Sequence, residues 1–175
     1  MLAAAASQFA APPATAREPA EPPAATKEPA QRYGTWRVKL DPSSVYVWAR
    51  NDAGAQFGLY CSRGLDTCVH YLVAEGPCDS EARIPAMLNA STGTLAVTLQ
   101  CLPIGSVRAL VLSDFDGVHQ AIRSGGVFGI VYPLRSGRFQ VSRFNADQFA
   151  TALSSAKQTQ PTIEHAPAKT RDTWL

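Results

Sequence analysis

Large apolar and charged residues alternate through Trp36-Arg37-Val38-Lys39-Leu40, the period of a strand with one face buried. Asp41-Pro42-Ser43-Ser44 then reads as a turn, and the β-branched and aromatic run Val45-Tyr46-Val47-Trp48-Ala49 as a second strand. Turn residues Asn51 to Gly54 lead to a third strand, Gln56 to Cys61, and the loop Ser62 to Thr67 leads to a fourth, Cys68 to Val73. Past Gly76-Pro77, Arg83 to Leu88 predicts a short edge strand, because Pro85 withholds a ladder donor. Asn89 to Gly93 is a polar turn. Leu95, Val97, Leu99 and Cys101 share one face of the most regularly alternating strand, and Val107 to Leu112, apolar at nearly every position, predicts a central one.

Two helices interrupt this pattern. Ser113 with Asp116 three residues on resembles a capping box; Phe115, Val118 and Ile122 then fall on one helical face, and Gly125-Gly126 ends the element. A second helix is expected from about Asn145, with Gln148 at the box position and Phe149 and Leu153 facing inward. Between them, Val127 to Tyr132 and Arg138 to Phe144 predict a hairpin across Pro133 to Gly137. Strands dominate. The expected fold class is mainly β, an antiparallel sandwich or open barrel with two short helices packed on it.

The pattern starts at Tyr33 and fades near Ser155. Residues 11–31 hold Pro12, Pro13, Pro19, Pro22, Pro23 and Pro29 and almost nothing bulky, too little apolar surface to offset ordering entropy. The expected organisation is a disordered Ala/Pro-rich arm at 1–32, a domain at 33–155 and a loose polar tail at 156–175. The Ala-rich opening, Met1 to Ala11, lacks a basic segment and a long apolar one; it reads as the remnant of a secretory signal or as a plain Ala-rich tail. No stretch approaches the roughly 20 apolar residues that span a bilayer, so a membrane-spanning protein is not expected.

Charge and cysteine content narrow the partners and the compartment. A net charge of +2 without a Lys/Arg-rich run argues against nucleic acid, whose affinity comes largely from phosphate neutralisation. Cys61, Cys68, Cys78 and Cys101 cluster within 41 residues, with no CxxC pair and no His at metal spacing. Disulfides are therefore favoured over zinc, and with them an oxidising compartment, the periplasm or the exterior. Four cysteines allow three pairings. Cys61–Cys68 with Cys78–Cys101 is favoured, because Cys61 ends one predicted strand and Cys68 begins the next; Cys61–Cys101 with Cys68–Cys78 is the competitor.

Candidate chemistry is sparse. His70 alternates with the apolar residues of its strand and reads as a surface or sheet-face residue, His119 lies beside the apolar stripe of the first helix, and His165 sits in the tail. No GxSxG elbow accompanies them, and Asp114 and Asp116 are accounted for by a helix N-terminus. No metal or phosphate-loop motif occurs, so no catalytic residue, metal site or cofactor is assigned. Asn89-Ala90-Ser91 matches the glycosylation tripeptide, relevant only on a eukaryotic secretory route. One asymmetry stands out: residues 117–146 hold Arg123, Arg135, Arg138 and Arg143 and no Asp or Glu. With Arg135 at the predicted hairpin tip and Arg138 pointing away from the core, these four are the candidate anion site, since the guanidinium fork suits planar anions. The plain alternative is a solvated face.

Several features together give the chain a resemblance: a signal-like start, the aromatic strand at Trp36, paired cysteines, a Leu/Pro-flanked strand, and Val131-Tyr132-Pro133-Leu134 ahead of a final strand and helix. In these, residues 33–155 resemble small proteobacterial periplasmic proteins of the invasion-associated locus B type, although no cysteine closely follows Trp36 as it tends to in that family. The resemblance implies a periplasmic β-sandwich of accessory, non-enzymatic role, and carries over no functional residue. The expected function is an exported binding or accessory module of the envelope, with an unknown protein, glycan or lipid partner. The alternatives are a small envelope hydrolase or hydrolase inhibitor, or a structural subunit of an envelope or secretion assembly.

Overall fold

The structure, a computed structural model, describes residues 30–159 apart from 66, 75–77 and 79–81. The arm up to residue 29 and the tail from residue 160, both expected to be disordered, lie outside the described residues. In chain order the elements are β1 (Gln31–Tyr33), β2 (Trp36–Asp41), β3 (Ser44–Arg50), β4 (Gln56–Ser62), β5 (Thr67–Val73), β6 (Arg83–Ala90), β7 (Gly93–Ile104), β8 (Val107–Leu112), α1 (Phe115–Arg123), β9 (Val127–Pro133), β10 (Phe139–Asn145) and α2 (Phe149–Thr159). All the strands join one antiparallel sheet in the order β1-β2-β3-β4-β5-β8-β7-β6-β9-β10. The sheet is mainly β architecture of the expected kind, curled into a half-barrel with both helices against its concave face.

Alternation along each strand builds that concave core. Trp36, Val47, Phe57, Leu72, Leu88, Leu99, Phe128 and Ile130 are fully buried there against Val118 and Ile122 of α1 and Phe149 and Ala152 of α2. Trp36 is fixed twice over: its ring meets Phe149 at 4.7 Å, and its Nε1 donates to the Asn145 carbonyl at 3.0 Å, tying β2 to the end of β10. A second, smaller apolar cluster forms on the other face. β5 and β8 pair at only two positions, Tyr71 with Val111 and Leu72 with Leu110. Ile104 and Ala109 of the β7–β8 hairpin join Tyr71 and Val111 in this cluster, with Tyr46, Trp48 and Tyr60 packed against it. Gly58 makes room for it. The glycine stands in register between Trp48 and Tyr71, and a Cβ there would lie 2.6 Å from the Val47 carbonyl oxygen and 3.0 Å from the Tyr71 ring.

Both disulfides join the favoured partners. Cys61 and Cys68 are direct cross-strand neighbours with Cα atoms 4.0 Å apart, and Cys78 reaches Cys101 with Cα atoms 5.3 Å apart.

Four local expectations are corrected. Strand β6 is interior, between β7 and β9, instead of an edge; its ladder to β9 covers only Met87 to Asn89, so Pro85 lies past the end of that ladder and withholds nothing from it. The cap of α1 is Asp114, whose side chain accepts from the Gly117 amide, while the Ser113 hydroxyl accepts from the Thr98 amide instead. Helix α2 begins at Phe149 because β10 runs on to Asn145 and Gln148 takes a left-handed conformation; it continues to Thr159. Finally, Gln31 and Arg32 join Tyr33 in a three-residue strand on the β2 edge.

Candidate functional site

Two places in the fold gather polar chemistry. The first is the meeting of His70 and His119, 49 residues apart in sequence. His70 Nε2 and His119 Nδ1 stand 3.2 Å apart. His70 is fully buried on the inner face of β5, so of the two readings the sequence allowed it is a sheet-face residue and not a surface one. Its ring stacks with Phe57 and Phe115 at 5.7 and 4.9 Å, and His119 stacks with the same Phe115 at 5.3 Å. Burial, reinforced by the facing His119, holds His70 down at about 3, the Gly58 backbone opposing weakly. His119 is lowered to about 4, by burial first, then by Arg123 and Lys157, with Asp116 pulling the other way. Two neutral imidazoles sharing one proton suit that setting, since an imidazolium here would lose its hydration. Each histidine's hydrogen-bond partner in the pair is the other one, with no serine or carboxylate within that reach among the described residues. As arranged, the pair is a polar rivet in an aromatic core.

The second feature is a groove of about 650 Å3 between the end of β5, the first residues of β6, the start of β8 and the β9–β10 hairpin. Leu72, Ile84, Leu110, Tyr132 and Leu134 give it an apolar floor, with Cys78 of the second disulfide on its wall. Arg83, Arg108, Arg135 and Arg138 line it from three different segments, and no Asp or Glu stands among its described lining residues. All four arginines are exposed. The hairpin that delivers two of them is shaped by its own backbone: the Leu134 amide donates to the Arg138 carbonyl at 2.7 Å, and Gly137, at φ 79°, takes the left-handed turn position.

The arginines singled out in the sequence therefore separate. Arg135 and Arg138 face the groove. Arg143 lies on the exposed face of β10, five residues or about 17 Å along the strand from Arg138. Arg123 closes the last turn of α1, just before β9 sets out toward the hairpin, about 20 Å from the groove along that strand. Their places are taken by Arg83 and Arg108, which sequence reasoning missed. No local pattern marks either; only the pairing of β6 and β8 with the intervening β7 brings them to one end of the sheet. Among the described residues no group of three or more His, Cys, Asp or Glu side chains could hold a metal ion, and no helix is long and apolar enough to cross a membrane.

A single curled antiparallel sheet holding two helices on its concave face defines the class of protein to which the groove belongs. In three dimensions the chain is similar to the crystal structure of invasion associated protein B from Bartonella henselae, with a TM-score of 0.54 and 14% identity over 77% of this chain and 99% of that one. At that identity the likeness is one of fold. No protein-family model and no curated protein matches the sequence.

Proposed function

We propose that this protein is an exported, non-enzymatic binding module of the bacterial envelope that holds an anionic group of its partner in the arginine-lined groove. The observation that carries this reading is the convergence of Arg83, Arg108, Arg135 and Arg138 on one concave surface with an apolar floor. Guanidinium forks bind carboxylate, phosphate and sulfate oxygens in pairs, and a floor of Leu, Ile and Tyr lowers the local dielectric and strengthens each such bond. Two disulfides support an oxidising location, and the fold likeness supports an accessory role like that implied by the sequence resemblance.

The test is binding to immobilised sulfated glycan and to vesicles containing anionic lipid, for the natural chain and for the double variant Arg108→Ala/Arg138→Ala. Binding that weakens by about tenfold or more in the variant, and that falls as salt rises from 50 to about 300 mM, is the expected result. The folded state should be little changed, since exposed charges contribute about 0–1 kcal/mol each. Equal binding by both proteins on every anionic surface would leave the groove without this role.

A further inference from the structure

The two edges of the sheet are built differently. One edge, β1, is three residues long and is tied to α2 by a hydrogen bond from the Tyr33 hydroxyl to Ser155. Short, covered edges of this kind do not recruit other strands. The opposite edge, β10, is seven residues long and contains no proline, lysine or acid. Its outward side chains include Phe139, 69% exposed, and Val141, 49% exposed.

The backbone of β10 is open along most of that edge. Antiparallel ladders bond alternate residues to one neighbour, and the bonds from the Leu134 amide to the Arg138 carbonyl and from the Ala146 amide to the Gly126 carbonyl place the even-numbered residues of β10 on the β9 side. The amides and carbonyls of Phe139, Val141 and Arg143 therefore point away from β9. The Asn145 carbonyl fits the same parity: it faces the other way and receives the Trp36 indole, which closes the edge beyond Arg143. What remains is a run of three outward-facing residues, Phe139, Val141 and Arg143.

We propose that this edge pairs antiparallel with the same edge of a second copy of the chain, with Val141 opposite Val141 of the partner subunit. That register uses every open group. Phe139 bonds with the partner's Arg143, Val141 with the partner's Val141, and Arg143 with the partner's Phe139, all as paired N–H and C=O bonds. Shifting the two strands past one another by two residues leaves one of these groups without a counterpart or sets Phe139 against Asn145, whose carbonyl is already engaged. The side chains match in the same register. Each guanidinium stands across from an aromatic ring, a cross-strand cation–π pair made twice by the symmetry. An apolar row is also continued: Met87, Val131 and Val141 are successive register neighbours across β6, β9 and β10, and the dyad extends them into the partner's own row. A second copy is thus the occupant that satisfies backbone, charge and apolar surface together.

Sedimentation equilibrium of the full chain across micromolar to near-millimolar concentration tests this, with Val141→Lys and Val141→Pro beside it. Both substitutions sit on an exposed position whose amide makes no bond to β9, so the monomer should keep its thermal midpoint. Expected is a reversible dimer for the natural chain and association weakened by at least about tenfold in affinity for both variants. Val141→Cys should give a disulfide-linked dimer under mild oxidation, because directly opposed residues stand about 5.5 Å apart at Cα, whereas Val127→Cys, exposed elsewhere on the same hairpin, should not. A natural chain that stays monomeric throughout, or a dimer that survives Val141→Lys and Val141→Pro, overturns the proposal. A dimer abolished by those changes but linked no better through Val141→Cys than through Val127→Cys overturns the register.

Discussion

His70 shows how one residue's environment sets a property of the whole domain. With ordinary unfolded values near 6.5 and folded values of about 3 and 4, His70 and His119 bind protons in the unfolded chain before they do in the folded one. Their contribution is fully present above pH 6.5 and is lost as pH falls from there through the folded values. Each proton taken up only on unfolding removes up to about 1.4 kcal/mol per pH unit, and His119, the less buried, adds the smaller part. The thermal midpoint is therefore expected to hold steady above neutrality and to drop between pH 6.5 and about 4. In His70→Leu/His119→Gln the same interval should be flatter, although the variant starts lower for want of the stacked pair. A natural chain whose midpoint does not move over that interval would mean that the two rings are not shut away from water.

Among the elements, the disulfides do different jobs. Cys61–Cys68 spans a sequence separation of 7 and clips a hairpin whose strands are already paired; Cys78–Cys101 spans 23 and ties Cys78, ahead of β6, to the last third of the long strand β7. Loop-closure entropy grows with the length enclosed, so replacing Cys78 and Cys101 by Ala should cost about 3 kcal/mol and replacing Cys61 and Cys68 about 2. Urea unfolding of the two double variants gives the order directly. Peptide mapping without reduction gives the pairing, and a fragment linking Cys61 to Cys101 would contradict the register of β4 and β5. The Cys78 bridge also borders the arginine groove, so its loss should weaken anion binding as well as stability.

For the molecule as a whole, the first described strand, β1, is joined to the last helix. Gln31 and Tyr33 take part in the hydrogen bonds that join β1 to Ser155 of α2. Removing residues 1–29 is expected to leave the thermal midpoint within about a degree or two, because that segment carries little apolar surface to bury. Removing residues 1–33 takes β1 and its tie to α2, uncovers the edge of β2, and should lower the midpoint by several degrees, on the scale of about 1–2 kcal/mol for a domain of this size. Calorimetry on the two truncations separates these outcomes. A large loss from the shorter truncation would show that the arm packs on the domain.

The sequence by itself determined the local structure of this protein. Alternation together with β-branched and apolar runs placed nine of the ten described strands, glycine and proline punctuated them, and the hairpin position of Cys61 and Cys68 made their pairing readable, because each of these signals is a contact between residues near one another in the chain. Pattern failed where a neighbour distant in sequence decides. Pro85 read as an edge because nothing local reveals that β9 returns to pair beside it, and the burial of His70, left open between surface and sheet face, comes from Phe115 and Phe149, on helices that follow much later. The arginine groove is the sharpest case. Composition pointed to the right region, yet of Arg123, Arg135, Arg138 and Arg143 only the hairpin pair reaches the groove, and Arg83 and Arg108 arrive from strands that only the sheet order makes neighbours. Strand identity is a property of a few consecutive residues, whereas strand order is settled by which apolar faces bury one another, and a functional surface on a sheet is made of that order.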